Sequence, residues 1–113
     1  MKLPGIEGAI ITRSKIVLYL LNDTHKEGKT KAKYFKSYGF TPEQWESFAQ
    51  ALYRHAAEYD VVTILDTETS IQYTIEGTLI TPDGYNPFVR TVWATDHGDD
   101  FPHLVTAYPV DKR

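Results

Sequence analysis

The chain has no cysteine among its 113 residues. That excludes disulfides, thiolate catalysis and cysteine-ligated zinc, and is compatible with a reducing cytoplasm. Long hydrophobic runs are also missing: the longest near the start, Ile16 to Leu21, falls far short of the roughly 20 apolar residues that a membrane span needs. The first twelve residues, MKLPGIEGAIIT, lack the basic segment, long apolar stretch and small-residue cleavage site of a secretory signal. A cytoplasmic location without membrane contact is expected, with delivery from a larger secreted protein as the other route. No Pro/Gly/Ser-rich linker, repeat or low-complexity tract divides the chain, so residues 1–113 are expected to form one domain around one core. There is no phosphate-binding glycine loop, zinc-protease helix motif, GxSxG elbow or calcium loop. Those enzyme classes lose support, and no metal or cofactor is expected.

What is present is ordinary globular composition, 42% apolar and 24% charged, with a net charge of −3. The charge is unevenly spread. Residues 1–40 carry eight Lys/Arg against three Asp/Glu, while residues 41–113 carry four against twelve. A basic face in the N-terminal part follows, although Lys26, Lys29, Lys31, Lys33 and Lys36 fit the solvated side of a helix equally well.

Periodicity divides the chain into a helical part, about 12–59, and a sheet part, about 60–110. Ile16, Val17, Leu20 and Leu21 follow helical spacing, with Thr12 or Ser14 as cap. A polar loop containing Gly28 leads to a short helix through KAKYFKSY, which Gly39 ends in the left-handed conformation with Phe40 packed back on it. Thr41, Pro42 and Gln44 mark a third helix start, and Trp45, Phe48, Ala49, Leu52, Tyr53 and Ala56 form its apolar stripe. Four β-rich segments follow, VVTIL, IQYTIEGTL, FVRTVWAT and HLVTAYP, joined by short turns that force antiparallel neighbours. The predicted fold is α+β, with N-terminal helices packed on one face of a four-stranded antiparallel meander. Tyr73 and Ile75 should face the core, and Gln72, Thr74 and Glu76 the solvent.

Four histidines are the obvious chemical candidates. His97, with Asp99 and Asp100, reads as a polar turn rather than a metal site. His55 lies beside the apolar stripe of the third helix and reads as a packed or half-exposed side chain rather than a catalytic one. His103 receives the same reading, alternation placing it opposite Leu104, Thr106 and Tyr108. His25 stands apart, in a glycine-containing loop among basic residues, where it could move a proton while Lys29 and Lys31 neutralise a phosphate. Arg90 interrupts an apolar strand and suits a held anion; Thr106 and Tyr108 add hydroxyls to the same sheet.

The segments THKEGKTKAKYFKSYGF, FVRTVWATD and PHLVTAYP together resemble an uncharacterised bacterial domain family. Its pattern places a histidine, a glycine, a Lys-Ala pair and a phenylalanine before Gly-Phe, with Val-Arg-Thr-Val-Trp and Leu-Val-Thr-Ala-Tyr-Pro later. Here these positions are His25, Gly28, Lys31, Ala32, Phe35, Gly39 and Phe40, then Val89 to Trp93 and Leu104 to Pro109. The resemblance implies modules found in or beside polymorphic toxins. The helices-then-sheet order is similar, more distantly, to the superfamily of barnase, EndoU, colicin ribonucleases and RelE-like toxins. It implies a metal-independent endoribonuclease acting on RNA, with His25 transferring protons, Arg90 and Lys31 clamping the phosphate, and Thr106 and Tyr108 orienting it. An immunity protein or parent-protein domains would be its protein partners. The alternative is a non-catalytic adaptor that offers a sheet face or the aromatics Tyr73, Tyr85 and Trp93 to a protein. Nothing in the sequence specifies an oligomeric state.

Overall fold

The computed structural model describes residues 1–24 and 29–110. Thr12 starts the first helix by accepting the Lys15 N–H at 3.1 Å. This helix, α1 (Arg13–Lys15), runs straight into a π-helical turn, Ile16–Leu20, closed by the Leu21 N–H on the Ile16 carbonyl at 2.8 Å. The wider turn buries Ile16 and Leu20, with Leu21 just after it, and leaves Tyr19 half-buried at the rim. The second helix, α2 (Lys29–Ser37), buries Ala32 and Phe35. Gly39 follows it at φ +104°, a left-handed value that costs glycine nothing. Phe40 then folds back to stack on Phe48, ring centroids 4.4 Å apart.

Thr41 caps the next element as the sequence predicts, accepting the Gln44 N–H at 3.3 Å. The first turn, Pro42–Gln44, is 3₁₀, and the α-helix proper, α3, covers Trp45–Glu58. It buries Phe48, Leu52, His55 and Ala56. Tyr53, expected on the buried stripe, is instead 39% exposed, because the inward face is centred on His55 rather than beside it.

The strands are β1 (Val61–Asp66), β2 (Ser70–Thr78), β3 (Phe88–Asp96) and β4 (His103–Pro109). They form one sheet in the order β1-β2-β3-β4, every pair antiparallel. The α+β meander is therefore the observed fold. Tyr73, Ile75 and Gly77 of β2, Leu79 just past its end, and Val89, Thr91 and Trp93 of β3 lie buried on the helical face. Gln72, Thr74, Glu76, Thr78, Arg90 and Val92 alternate with them on the other. Phe35, Phe48, Leu52, Ile75 and Trp93 meet in one core cluster, each burial contributing about 2 kcal/mol.

Two expectations about side-chain direction are corrected. Tyr73 faces the core as strand alternation predicts, 7% exposed, and Trp93 is 0% exposed, so neither is the exposed aromatic that the adaptor alternative offers. Simple alternation also fails in β4. Val92 pairs with Thr106 but Trp93 pairs with Leu104, so Val105 is an extra, bulged residue. The bulge puts His103, Thr106 and Tyr108 together on the face of Arg90, and Leu104 and Ala107 in the core. Among the described residues no helix is long and apolar enough to cross a membrane.

Candidate functional site

Two polar clusters are built into this frame. The inner one centres on His55, 2% exposed on α3. Its Nε2–H points between the carbonyls of Gly77 and Val89, each at 3.2 Å, and its Nδ1 accepts the Thr91 hydroxyl at 3.2 Å. Thr91 in turn accepts the Trp93 indole N–H at 3.0 Å. Burial drives the His55 pKa down, outweighing the two carbonyls that would raise it, so the ring is neutral. Tyr59 closes the cluster: a Cβ on Gly77 would sit 2.3 Å from its ring, so only glycine allows that approach. Among the described residues no buried side-chain polar atom lacks a partner. The sequence reading of His55 as a packed histidine is correct, and it pins α3 to β2 and β3.

The outer cluster lies where the edge strand β4 meets α1 and α2. Lys31 donates from Nζ to the Tyr19 hydroxyl at 2.9 Å, and that hydroxyl shares a 3.3 Å hydrogen bond with Thr106 Oγ1. Both Lys15 and Lys31 also stand over the Tyr19 ring, their ammonium nitrogens 5.1 and 5.3 Å from its centroid. Burial would raise the Tyr19 pKa. The hydrogen bonds from Lys31 and Thr106, with the charges of Lys31 and Lys15, more than offset that and lower it. The phenol is thus made more acidic by cations that remain in contact with solvent.

Arg90 lies alongside, on the same sheet face. Its Nη1 donates to the Tyr108 hydroxyl at 3.2 Å, and its Nε and Nη2 both donate to Glu76 Oε2, the former at 2.7 Å. Register explains this geometry, since Arg90 pairs with Glu76 on one side and Tyr108 on the other. Thr106 and Tyr108, two residues apart on β4, put the two groups about 7 Å apart. Most of the predicted site residues are therefore brought to one region: Lys31 with Thr106 through Tyr19, and Arg90 with Tyr108. Lys29 opens α2 and is exposed. His25 lies outside the described residues.

Sequence reasoning missed three members. Tyr19 was hidden because it sits in an apolar run that reads as pure core, and because the π-helical turn that turns it outward has no sequence signature; such turns recur at functional sites. Lys15 belongs to no motif and drew no reading from the sequence. Glu76 was assigned only to the wet face, yet it is the carboxylate that already occupies Arg90, so an incoming anion would compete with it there.

Elsewhere His97 donates from Nε2 to the Thr67 carbonyl, 2.9 Å away, and approaches Asp66, while His103 lies 3.5 Å from Asp96. An open groove of about 290 Å³ runs between α3 and the β2–β3 loop, lined by Phe40, Ala51, Arg54 and Ile80 among others. It holds no titratable group besides Arg54, which pairs with Glu58 at 2.7 Å.

The profile of a domain family of unknown function (DUF6883) matches residues 2–111, nearly the whole chain, and the chain belongs to that family. Nothing among curated proteins or solved structures matches it.

Proposed function

We propose that this family member is a metal-independent endoribonuclease module, and that its reacting centre is Tyr19 with Lys31, Lys15 and Thr106. The observation that supports this is the convergence of two ammonium groups and a threonine hydroxyl on one phenol whose acidity they raise. Cleavage of RNA without metal requires the 2′-hydroxyl to attack its own phosphorus, a proton to leave that hydroxyl, and a proton to reach the departing 5′-oxygen. Charge builds on the phosphoryl oxygens meanwhile, where fixed cations stabilise it. Tyr19 supplies a proton-transfer group of adjusted acidity, and Lys31 and Lys15 supply the cations. His25, four positions before Lys29 in sequence, takes the complementary proton-transfer role. Arg90 and Tyr108 hold the adjoining phosphate, once that anion displaces Glu76.

The test is incubation of the purified domain with total transfer RNA in excess chelator, beside Tyr19→Phe, Lys31→Ala, His25→Ala and Arg90→Ala variants whose folding is verified by circular dichroism. The wild type should leave 2′,3′-cyclic phosphate ends, and Tyr19→Phe should be at least about 100-fold slower. RNA left intact by the wild type would remove this reading.

A second reading, the non-catalytic interaction module, is favoured by β1. Val62, Ile64 and Leu65 on this edge strand are 52–55% exposed, with no charge between Asp60 and Asp66 to discourage an added strand. It expects RNA untouched in the assay above, and β1 amides whose hydrogen exchange slows only when a partner strand is supplied.

A further inference from the structure

We infer that Tyr85, seated on Tyr38 at the C-terminal end of α2, is a stacking platform for an unpaired nucleobase of the RNA strand whose phosphate is held at Lys31 and Tyr19. The inference rests on the ribonuclease reading and names its substrate as single-stranded RNA.

Tyr85 is 71% exposed, more than any other large apolar or aromatic side chain described. Leaving such a ring in water forgoes its burial, and here the chain is organised to keep it there. The β2–β3 loop is stiffened around it by hydrogen bonds. Asp83 Oδ1 accepts from the Tyr85 N–H at 3.0 Å and from the Thr81 hydroxyl at 2.8 Å. Asn86 Oδ1 accepts the Thr81 N–H at 2.9 Å, and the Asn86 N–H donates to Thr81 Oγ1 at 3.1 Å. Asn86 holds φ +56°, a left-handed conformation strained for a residue with a side chain. The loop is anchored to α2 by the Asp83 N–H on the Tyr38 carbonyl at 3.2 Å. Order, strain and exposure thus meet at one ring.

That ring also lies on a line with the proposed centre. Lys31, Tyr34 and Tyr38 are spaced three and four residues apart, along one flank of α2 and just past its end. From Tyr34 the ring contacts pass to Tyr38, centroids 5.0 Å apart, and from Tyr38 to Tyr85, 5.3 Å apart with planes only 31° from parallel. Tyr34 is the recessed member, its pKa pushed up to about 12 by burial and by its hydrogen bond with Tyr38. Lys31 to Tyr38 spans about 10 Å of helix axis, about three stacked nucleotides at 3.4 Å each. A strand with its phosphate at Lys31 would therefore bring a base two or three positions away to Tyr85. Aromatic faces accept any base, and a paired base cannot reach one, so the platform selects unpaired RNA rather than a sequence.

The test is fluorescence anisotropy on the whole chain with a short labelled 2′-O-methyl oligonucleotide, which cannot be cleaved, offered as a single strand and as its duplex. The wild type should prefer the single strand, and Tyr85→Ala should weaken that binding at least about 5-fold. Tyr85→Trp should restore it. Tyr85→Ala should leave the salt dependence unchanged, whereas Lys31→Ala should lower its slope by about one. If Lys31→Ala weakens binding and Tyr85→Ala does not, the platform is wrong and the ribonuclease reading stands. If the wild type binds neither form, the ribonuclease reading itself has failed and takes the platform with it.

Discussion

His55 and Tyr19 are each the hub of a polar cluster, and the two differ in how far each is shut off from solvent. His55 is sealed. Its partners are two main-chain carbonyls and a buried threonine, its charge is suppressed by burial, and nothing from solvent can reach it. Tyr19 is the opposite case, half-buried, flanked by two lysines, with its acidity raised rather than its charge suppressed. A histidine is the more usual rim residue and a tyrosine the more usual core residue, yet here the histidine is the buried one and the tyrosine lies at the rim. A polar group sealed among main-chain carbonyls stabilises the fold; one beside two lysines at a half-buried strand edge lies where solvent also reaches.

The largest effect should come from breaking the sealed hub. His55→Ala removes a buried ring and leaves the Gly77 and Val89 carbonyls and Thr91 without their partner, which should cost about 3 kcal/mol of stability in urea unfolding. Tyr19→Phe removes one hydroxyl at the rim and should change stability by less than about 1 kcal/mol. Equal losses from the two variants would mean that Tyr19 is a second fastener, and the contrast would be gone.

This contrast marks the limit of what residue order can convey. The four strands and their meander were legible because β-branched runs alternate with short turns, and Thr41, Pro42 and Gly39 announce the helix ends by local chemistry alone. The faces of β4 were not, because the bulge at Val105 depends on how β4 pairs with β3 rather than on any residue within it. Lys31, Arg90, Thr106 and Tyr108 stood out as charges or hydroxyls in conspicuous places. Tyr19 did not, since its role depends on a π-helical turn and on two lysines, one from α1 and one from α2, that only folding brings to it.

A smaller effect follows from protonation. The folded-state pKa of His55 lies below its ordinary value near 6.5, so between the two the unfolded chain binds a proton that the folded chain refuses. Its contribution to stability is therefore complete above about pH 6.5 and is lost as pH falls through that window. His55→Gln lacks this titration. Urea unfolding of both proteins between pH 7.5 and 5, about the range where histidine titrates, should show the wild type's advantage over the variant narrowing as acid is added. An advantage that stays constant would mean that the ring takes up its proton alike in the folded and unfolded chains, and that burial does not hold the cluster neutral.

The smallest effect is also the most direct reading of the outer hub. Tyrosinate absorbs near 295 nm, so the difference between wild-type and Tyr19→Phe alkaline titrations isolates one phenol among the eight of the chain. Its midpoint should lie below the ordinary phenol value, and Lys31→Met should move it back up by removing both a hydrogen bond and a charge. Lys15→Met should move it less, because Lys15 acts through space, with its ammonium 5.1 Å from the ring centroid. Salt distinguishes the two routes: at 1 M the screening length shrinks to about 3 Å, which quenches the Lys15 contribution while leaving a 2.9 Å hydrogen bond from Lys31 largely intact. A midpoint indifferent to both lysines would show that the cations do not act on the phenol, and the ribonuclease reading would lose the feature that sets Tyr19 apart from a packing residue.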